Sequence, residues 1–447
     1  MRSLASGVRG EGQRRWVPAF AHCCPERFRE NCEKVLRVNV IGDEPESANS
    51  NTETRNMFRI SRLHELMKAL PRDSFERWVR THEADKHSKG FGSWQQLVGM
   101  VYGHLAAVSS LRELEAGFNS QLTHHYHLGC STVRRSTMAD ANAKRTPALF
   151  ATVVQALMTQ VERRTRREVG ALLVAIDSTS ITLKGRGFDA WTRATHTRHT
   201  QGVKLHVSYA LGSAVPIAQS ITAPNINDIA EATKLPLRAG TTYIFDKGYC
   251  DYTWWHRIDQ AHAFFVTRFK RNAGLSLVRQ RRLPCAAQGI VLEDAIVRFK
   301  HPHPSGGRRN PYRQPLRRLV IDRPDQPDHP LVLATNDLRS PALRIAQHYK
   351  ARWQIELFFK WIKQHLRIRR FLGRSANAVH IQLLSALISY LLLALYRQKH
   401  RLGQSLWALL GELRATLFQR PAIEAHWYRK RKQQRALFVQ LQPPLFT

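Results

Sequence analysis

The sequence predicts an α/β protein, with an all-helical segment first, then a mixed sheet carrying a β-rich insertion, and long helices to close. Three observations carry this. From Phe58 to about Met158, "ISRLHELMKALP", "FGSWQQLVGMVYGHLAAV", "SLRELEAGF" and "PALFATVVQALMTQV" repeat apolar residues every three or four positions, the spacing of helices with one buried face. At Val169 the pattern changes to β-branched runs parted by glycine or polar turns. Helical spacing returns from about Pro341 to Leu366, followed by the most apolar run, Ile381 to Tyr396.

The chain of 447 residues is long enough for two or three domains, and its 43% hydrophobic content is that of an ordinary globular protein. Lys and Arg number 69 against 34 Asp and Glu, a net charge of +35 spread along the whole length. The expected partner is therefore a polyanion, nucleic acid first. An anionic membrane surface is disfavoured, because the bases form neither one amphipathic helix nor a cluster beside an apolar span. The run "IQLLSALISYLLLALY" is shorter than the roughly 20 residues that cross a bilayer and is broken by Gln382 and two serines, so it is expected to be a buried helix. Six cysteines without CxxC spacing argue against a zinc site and a disulfide scaffold, and fit a reducing cytoplasm.

In chain order, residues 1–56 carry the polar run "GDEPESANSNTETRN" without apolar periodicity and are expected to be a disordered extension. Met57 is a candidate translation start, which N-terminal sequencing of the natural product would test. Residues 57–165 form the helical N-terminal domain. Within it "CSTVRRSTMADANAKR" sets Ser131 as a helix N-cap and Arg134 and Arg135 on an early turn, as a DNA-reading helix would; a solvated basic helix would show the same pattern.

Residues 166–396 hold the α/β domain. "GALLVAIDSTSITL", "GVKLHVSYAL" and "PIAQSITA" predict three antiparallel strands, "NDIAEATKLP" a helix and "TTYIFDKGY" a further strand. A helix "DYTWWHRIDQAH" and the strand "AFFVTRFK" extend the same sheet. About 272–330 is rich in Arg, Pro and Gly with short strands "AIVRFK" and "LRRLVIDR", which predicts the β-rich insertion. After the strand "PLVLATND" comes one long helix from about 341 to 366, with Ser340 as N-cap and Pro341 in the first turn. Residues 397–447 are helical and basic, ending in "HWYRKRKQQR".

Asp177 ends the apolar run "LLVAID" and Asp246 ends "YIFD". A carboxylate at the end of a buried strand is costly unless paired, hydrogen-bonded or bound to a cation, although Asp is also a common turn former. Glu356 shifts the balance. Arg352, Glu356 and Lys363 follow Tyr349 at offsets of three, seven and fourteen, which puts all four on one stripe of a helix. Three carboxylates without His or Cys suit Mg²⁺, and a pair of Mg²⁺ ions stabilises the attacking and leaving oxygens of a phosphodiester displacement. Arg352 can fork onto a phosphate, Lys363 can act as a point charge and Tyr349 can donate its hydroxyl.

The stripe Tyr349, Arg352, Glu356, Lys363 resembles the YREK signature of bacterial DDE transposases of the insertion sequence 4 group. The likeness extends over most of the chain after Met57: "AIDSTSITL" is similar to that family's first Asp region, "FDKGYCDYTWW" to the second and "HYKARWQIELFFKWIKQHL" to the region of the Glu. The resemblance implies a ribonuclease-H-like core with a β-rich insertion between the second Asp and the Glu. It further implies a homodimer that binds terminal inverted repeats of double-stranded DNA, cuts both ends with two Mg²⁺ ions (Mn²⁺ able to substitute) and joins the 3′ hydroxyls to target DNA. Asp177, Asp246 and Glu356 match the catalytic, metal-holding triad, and Tyr349, Arg352 and Lys363 match phosphate contacts. Lys247 stands where that family more often has Arg, which keeps the charge and loses the forked hydrogen bonding. A ribonuclease-H-like nuclease or resolvase, sharing the metals but not strand transfer, or a non-catalytic DNA-binding repressor derived from a transposase, would share much of this pattern.

Other features have plainer readings. Asp189, Asp228, Asp251 and Asp259 are expected to be surface residues or caps. His124, His125 and His127, and His196 and His199, lack a completing ligand and are expected to be solvated or phosphate-facing. Of Trp254 and Trp255, one is expected in the core and one partly exposed, where it could stack on an unpaired base.

Overall fold

The computed structural model describes residues 60–169, 172–303, 309–324, 326, 328–366, 368 and 370–419. The 1–56 extension and the "HWYRKRKQQR" end lie outside the described residues.

Seven helices come first: α1 Arg62–Met67, α2 Arg72–Thr81, α3 Ser93–Leu105, α4 Leu111–Asn119, α5 Leu122–Leu128, α6 Arg135–Lys144 and α7 Ala148–Val169. Caps fix several starts; Ser61 and Ser110 accept the backbone N–H groups of His64 and Glu113. The expected cap at Ser131 is not made. Asn119 takes both the N–H and the carbonyl of Val133 at 2.9 Å, which holds the chain extended there and delays α6 until Arg135. The Ser131 hydroxyl accepts from Gln95 instead.

The sheet follows: β1 Leu173–Thr182, the single-turn α8 Asp189–Thr192, β2 Gly202–Ala210, β3 Val215–Thr222, α9 Asp228–Ala232, β4 Thr242–Phe245, α10 Tyr252–Gln260 and β5 Phe264–Arg268. Then come β6 Leu275–Gln280, β7 Val291–Phe299, β8 Leu316–Ile321 and β9 Leu331–Thr335. Nine strands lie in the order β3-β2-β1-β4-β5-β9-β8-β7-β6. β1, β2 and β3 are antiparallel and β1, β4 and β5 parallel, an arrangement that makes the core ribonuclease-H-like. The insertion strands β6 to β8 continue this sheet beyond β9.

The helices after the sheet are α11 Ala342–Ala351, α12 Trp353–His365, α13 Ala376–Lys399 and α14 Leu406–Thr416. The single helix expected over 341–366 is thus two, broken at Arg352. There the N–H of Arg352 bonds Tyr349 O and that of Ile355 bonds Arg352 O, both three residues back and both 3.1 Å, so the chain tightens for one turn.

Each face of the sheet has its own core. Ala175, Val207, Tyr209 and Ile244 pack into one cluster with α12, α13 and the first seven helices. Val174, Ile176, Phe245 and Phe265 pack on the other face against α10. Trp254 and Trp255 are both fully buried there, which corrects the expectation that one would be partly exposed; consecutive helix positions are both covered because Trp254 packs on Phe245 of β4 and Trp255 on Phe265 of β5 and on Phe269. Helix α13 is apolar nearly all round because other elements surround it. It is long and apolar enough to cross a bilayer, and 94% of its most apolar stretch is buried inside the protein.

Candidate active site

The parallel pairing of β1 with β4 runs from Leu173↔Thr242 to Ile176↔Phe245, so the next residues along the two chains are Asp177 and Asp246. Side chains alternate along a strand. Since Ile176 and Phe245 face α10 and Ala175 and Ile244 face the opposite core, both aspartates project toward α12. The same face receives the α11–α12 junction.

Tyr349 Oη donates to Asp246 Oδ1 at 3.4 Å. Arg352 Nη2 donates to Glu356 Oε1 at 2.7 Å, and its Nη1 lies 3.8 Å from Asp177 Oδ2. Lys363 Nζ reaches Ser180 O at 3.1 Å, further along β1 from Asp177. Tyr349, Arg352, Glu356 and the two aspartates are therefore neighbours in space although up to 179 positions apart in the chain, which follows from the numbers of Asp177 and Glu356. In this state Arg352 bridges carboxylates, whereas the sequence assigned its fork to phosphate.

Lys247 is exposed in the turn after Asp246. Arg134 and Arg135 are exposed at the start of α6, which packs on α4 and α13, so they stand apart from the triad. His124 and His125 are buried, correcting the solvated reading: His125 stacks on Phe118 and bonds its carbonyl at 3.0 Å. The exposed aromatic beside Glu356 is Trp353.

Burial pushes the Asp177 carboxyl up to about 6, against the bond from the Ser178 N–H and the Arg352 charge, with Glu356 and Asp228 adding to the rise. Tyr349 is pushed up to about 12 by burial and by the Asp246 charge. For stability, the Asp177 shift is unfavourable above its folded value. Between the ordinary 3.8 and about 6 the folded chain holds a proton that the unfolded chain has lost, so stability falls as pH rises through that window and stays lower above it. Asp177→Asn is therefore expected to stabilise the metal-free protein by about 1–3 kcal/mol at pH 7.5 and by little near pH 4, read from thermal unfolding in chelator at the two pH values. Equal midpoints for wild type and variant at pH 7.5 would contradict the burial cost.

A divalent cation suits this donor set: oxygen ligands only, one of them a half-buried carboxylate whose ionised form lacks full compensation. Among the described residues no three acidic, His or Cys groups are already drawn to ligand distance. The Arg352 guanidinium, whose Nε is buried without a partner, stands between Asp177 and Glu356 where a cation's charge would be needed.

Two residues of this neighbourhood escaped the sequence reading. Asp228, read as a surface or cap residue, accepts the Ser178 hydroxyl at 2.9 Å. Tyr249 is buried, and burial together with the charges of Asp177, Asp228 and Asp246 pushes its hydroxyl far up, against a contact with Ser178. Only the fold reveals either, since neither lies in a recurring spacing with the triad.

A ribonuclease-H-like sheet with one aspartate in the middle of β1, a second just past the end of the neighbouring β4 and a glutamate facing them from a helix defines the class. Comparison with known proteins gives the family. Residues 169–392, half of the chain, match the model described as transposase DDE domain, and residues 59–131 match a domain of unknown function, DUF4372. The chain is 44% identical over 290 residues to the protein of Sinorhizobium fredii (strain NBRC 101917 / NGR234) named as transposase y4zB, covering 64% of this chain and 78% of that one. It is 24% identical over 302 residues to the protein of Synechocystis sp. named as the transposase for insertion sequence element IS4SA, covering 67% and 82%. It is 28% identical over 239 residues to the one named for insertion sequence element IS5377 of Geobacillus stearothermophilus, covering 53% and 60%. The chain belongs to the bacterial DDE transposases.

Proposed function

We propose that this chain moves its own insertion sequence: it binds the terminal inverted repeats as a homodimer, cleaves a strand at each element end and joins the freed 3′ hydroxyls to target DNA. The observation that carries this reading is that Asp177 and Asp246 each directly follow the last pair of the parallel β1–β4 register, on the face toward Glu356. The three carboxylates would hold two Mg²⁺ ions, with Mn²⁺ able to substitute, which supply charge stabilisation at the attacking and leaving oxygens. The chain's own groups do the rest. Arg352, released from Glu356, forks onto the scissile phosphate; Tyr349, whose single hydroxyl proton lies on Asp246 without DNA, turns it to a phosphate oxygen when DNA is bound; Lys363 lies further along β1, on the path of the strand. Lys247 adds charge at the rim, and exposed Trp353 offers a platform for an unpaired base. Arg134 and Arg135 on α6 would meet the element end away from the cut, as part of an N-terminal helical DNA-binding segment. The net charge of +35 fits a cytoplasmic enzyme working on the nucleoid.

The test uses duplexes carrying the inverted repeats that flank the gene, a plasmid target and Mg²⁺. Wild-type chain is expected to nick at the repeat boundary and yield plasmid joined to two ends. Cutting that ignores the repeats and leaves no joined product would refute transposition and leave a nuclease.

A further inference from the structure

Ser178 hydrogen-bonds two acids at once. Its N–H donates to Asp177 Oδ1 at 2.8 Å, and its hydroxyl donates to Asp228 Oδ1 at 2.9 Å. Asp228 is 50 residues away in sequence, at the start of α9 in the connection from β3 to β4. Capping does not explain it: α9 is capped by the neighbouring Asn227, whose side chain accepts from Ile229 N. Nor does it hang free in solvent. Lys204 of β2, with 14% of its side chain exposed, brings Nζ to 3.1 Å from Asp228 Oδ1 and also donates to Ile226 O at 2.9 Å. Lys204 thereby ties the carboxylate and the α9 approach to the strand beside β1. A second observation lies on the same side. Tyr249, 4% exposed and with its hydroxyl directed at Ser178, shares with Asp228 and His206 the wall of a cavity of about 250 Å³, and senses the charges of Asp177, Asp228 and Asp246 together.

We infer that Asp228 is a positioning residue for the acidic centre: held by Lys204, it orients Ser178, and Ser178 orients the Asp177 carboxylate to receive a divalent cation. The inference rests on the cation chemistry proposed above. Physically, a carboxylate that must give one lone pair to a cation binds better when its rotation is already fixed. Outer partners of metal-holding side chains contribute about tenfold to a hundredfold in affinity.

The probe is Mn²⁺ alone, followed by electron paramagnetic resonance of the full chain without DNA, with circular dichroism melting to check folding. Asp228→Ala is expected to weaken Mn²⁺ binding about tenfold to a hundredfold. Asp228→Asn, which keeps an acceptor for the serine hydroxyl, should recover part of the loss. Ser178→Ala, a smaller change that carries the test should Asp228→Ala fail to fold, should weaken binding like Asp228→Ala, and the double variant no further, because both act through one hydrogen-bond chain. Wild-type affinity in folded Asp228→Ala and Ser178→Ala, beside a loss in Asp177→Asn, overturns the inference and leaves the proposed chemistry standing. A wild-type chain that binds no Mn²⁺, or an Asp177→Asn chain that binds it undiminished, overturns both.

Discussion

Glu356→Gln is expected to lower cleavage at the element end by about a thousandfold while leaving binding of the uncut end within about threefold. Loss of one ligand carboxylate removes several kcal/mol of charge stabilisation in the transition state; about 4 kcal/mol corresponds to three decades at 1.36 kcal/mol each. In the proposed reading, end binding would rest on phosphate contacts by cationic side chains spread over the chain and would not use this acid. Glutamine keeps the size of the side chain and an acceptor for the Arg352 Nη2 bond of 2.7 Å, so the α11–α12 junction should survive. Band-shift and nicking assays on the same duplex separate the two quantities. Asp177→Asn and Asp246→Asn should behave alike. Undiminished nicking by any one of the three would remove that residue from the centre, and a parallel loss of binding would mean that the substitution had damaged the fold.

Much of the architecture is legible because local pattern and tertiary role agree. The β-branched runs around Ala175, Val207 and Ile244 are strands, buried on both faces, and the apolar run within α13 is buried all round. The two aspartates could be picked out as acids that follow apolar runs; Asp246 does follow the end of β4, but β1 continues past Asp177 to Thr182 because it stays paired with β2, so Asp177 lies mid-strand where the buried part gives way to a half-exposed one. What the sequence could not give is whatever depends on the partner a side chain finds across the fold. Ser131 has the composition of a cap, but Asn119 captures Val133 first. The stripe from Tyr349 to Lys363 has continuous helical spacing, yet the backbone tightens at Arg352 and splits it between two helices; the guanidinium meets Glu356 as any i,i+4 pair can, while its approach to Asp177 needs the fold. Asp228 looks like a turn residue until β1 and α9 are brought together. Likewise the insertion gives short Arg-rich strands whose destination, the far side of the main sheet, is set by β8 pairing with β9.

That pairing also underlies a large expected effect on stability. Arg317 on β8, 1% exposed, makes two parallel bonds to Asp294 on β7, Nε to Oδ1 at 2.8 Å and Nη2 to Oδ2 at 2.7 Å. Its Nη1 donates to the carbonyls of Asp337 and Ser340, and Arg281 Nη1 donates to that of Leu338. The insertion thus grips the loop directly before α11, the helix that delivers Tyr349 and the turn at Arg352. Arg317→Met should destabilise the protein by about 3–5 kcal/mol, because it strands a buried carboxylate and unpairs two carbonyls. Arg281 Nε, 3.4 Å from Asp294 Oδ2, compensates in part and should keep the loss toward the lower figure. Adding Asp294→Leu should restore a substantial share of the stability, since an apolar pair in place of a buried ion pair is often close to neutral. End cleavage should stay depressed in the double variant, whose loop carbonyls still lack their donor and whose α11 is less firmly seated. Denaturant unfolding of the two single variants and the double gives the coupling. A loss below about 1 kcal/mol in Arg317→Met would mean that the pair contributes no more than an exposed one, and that the catalytic helix is held by its apolar face alone.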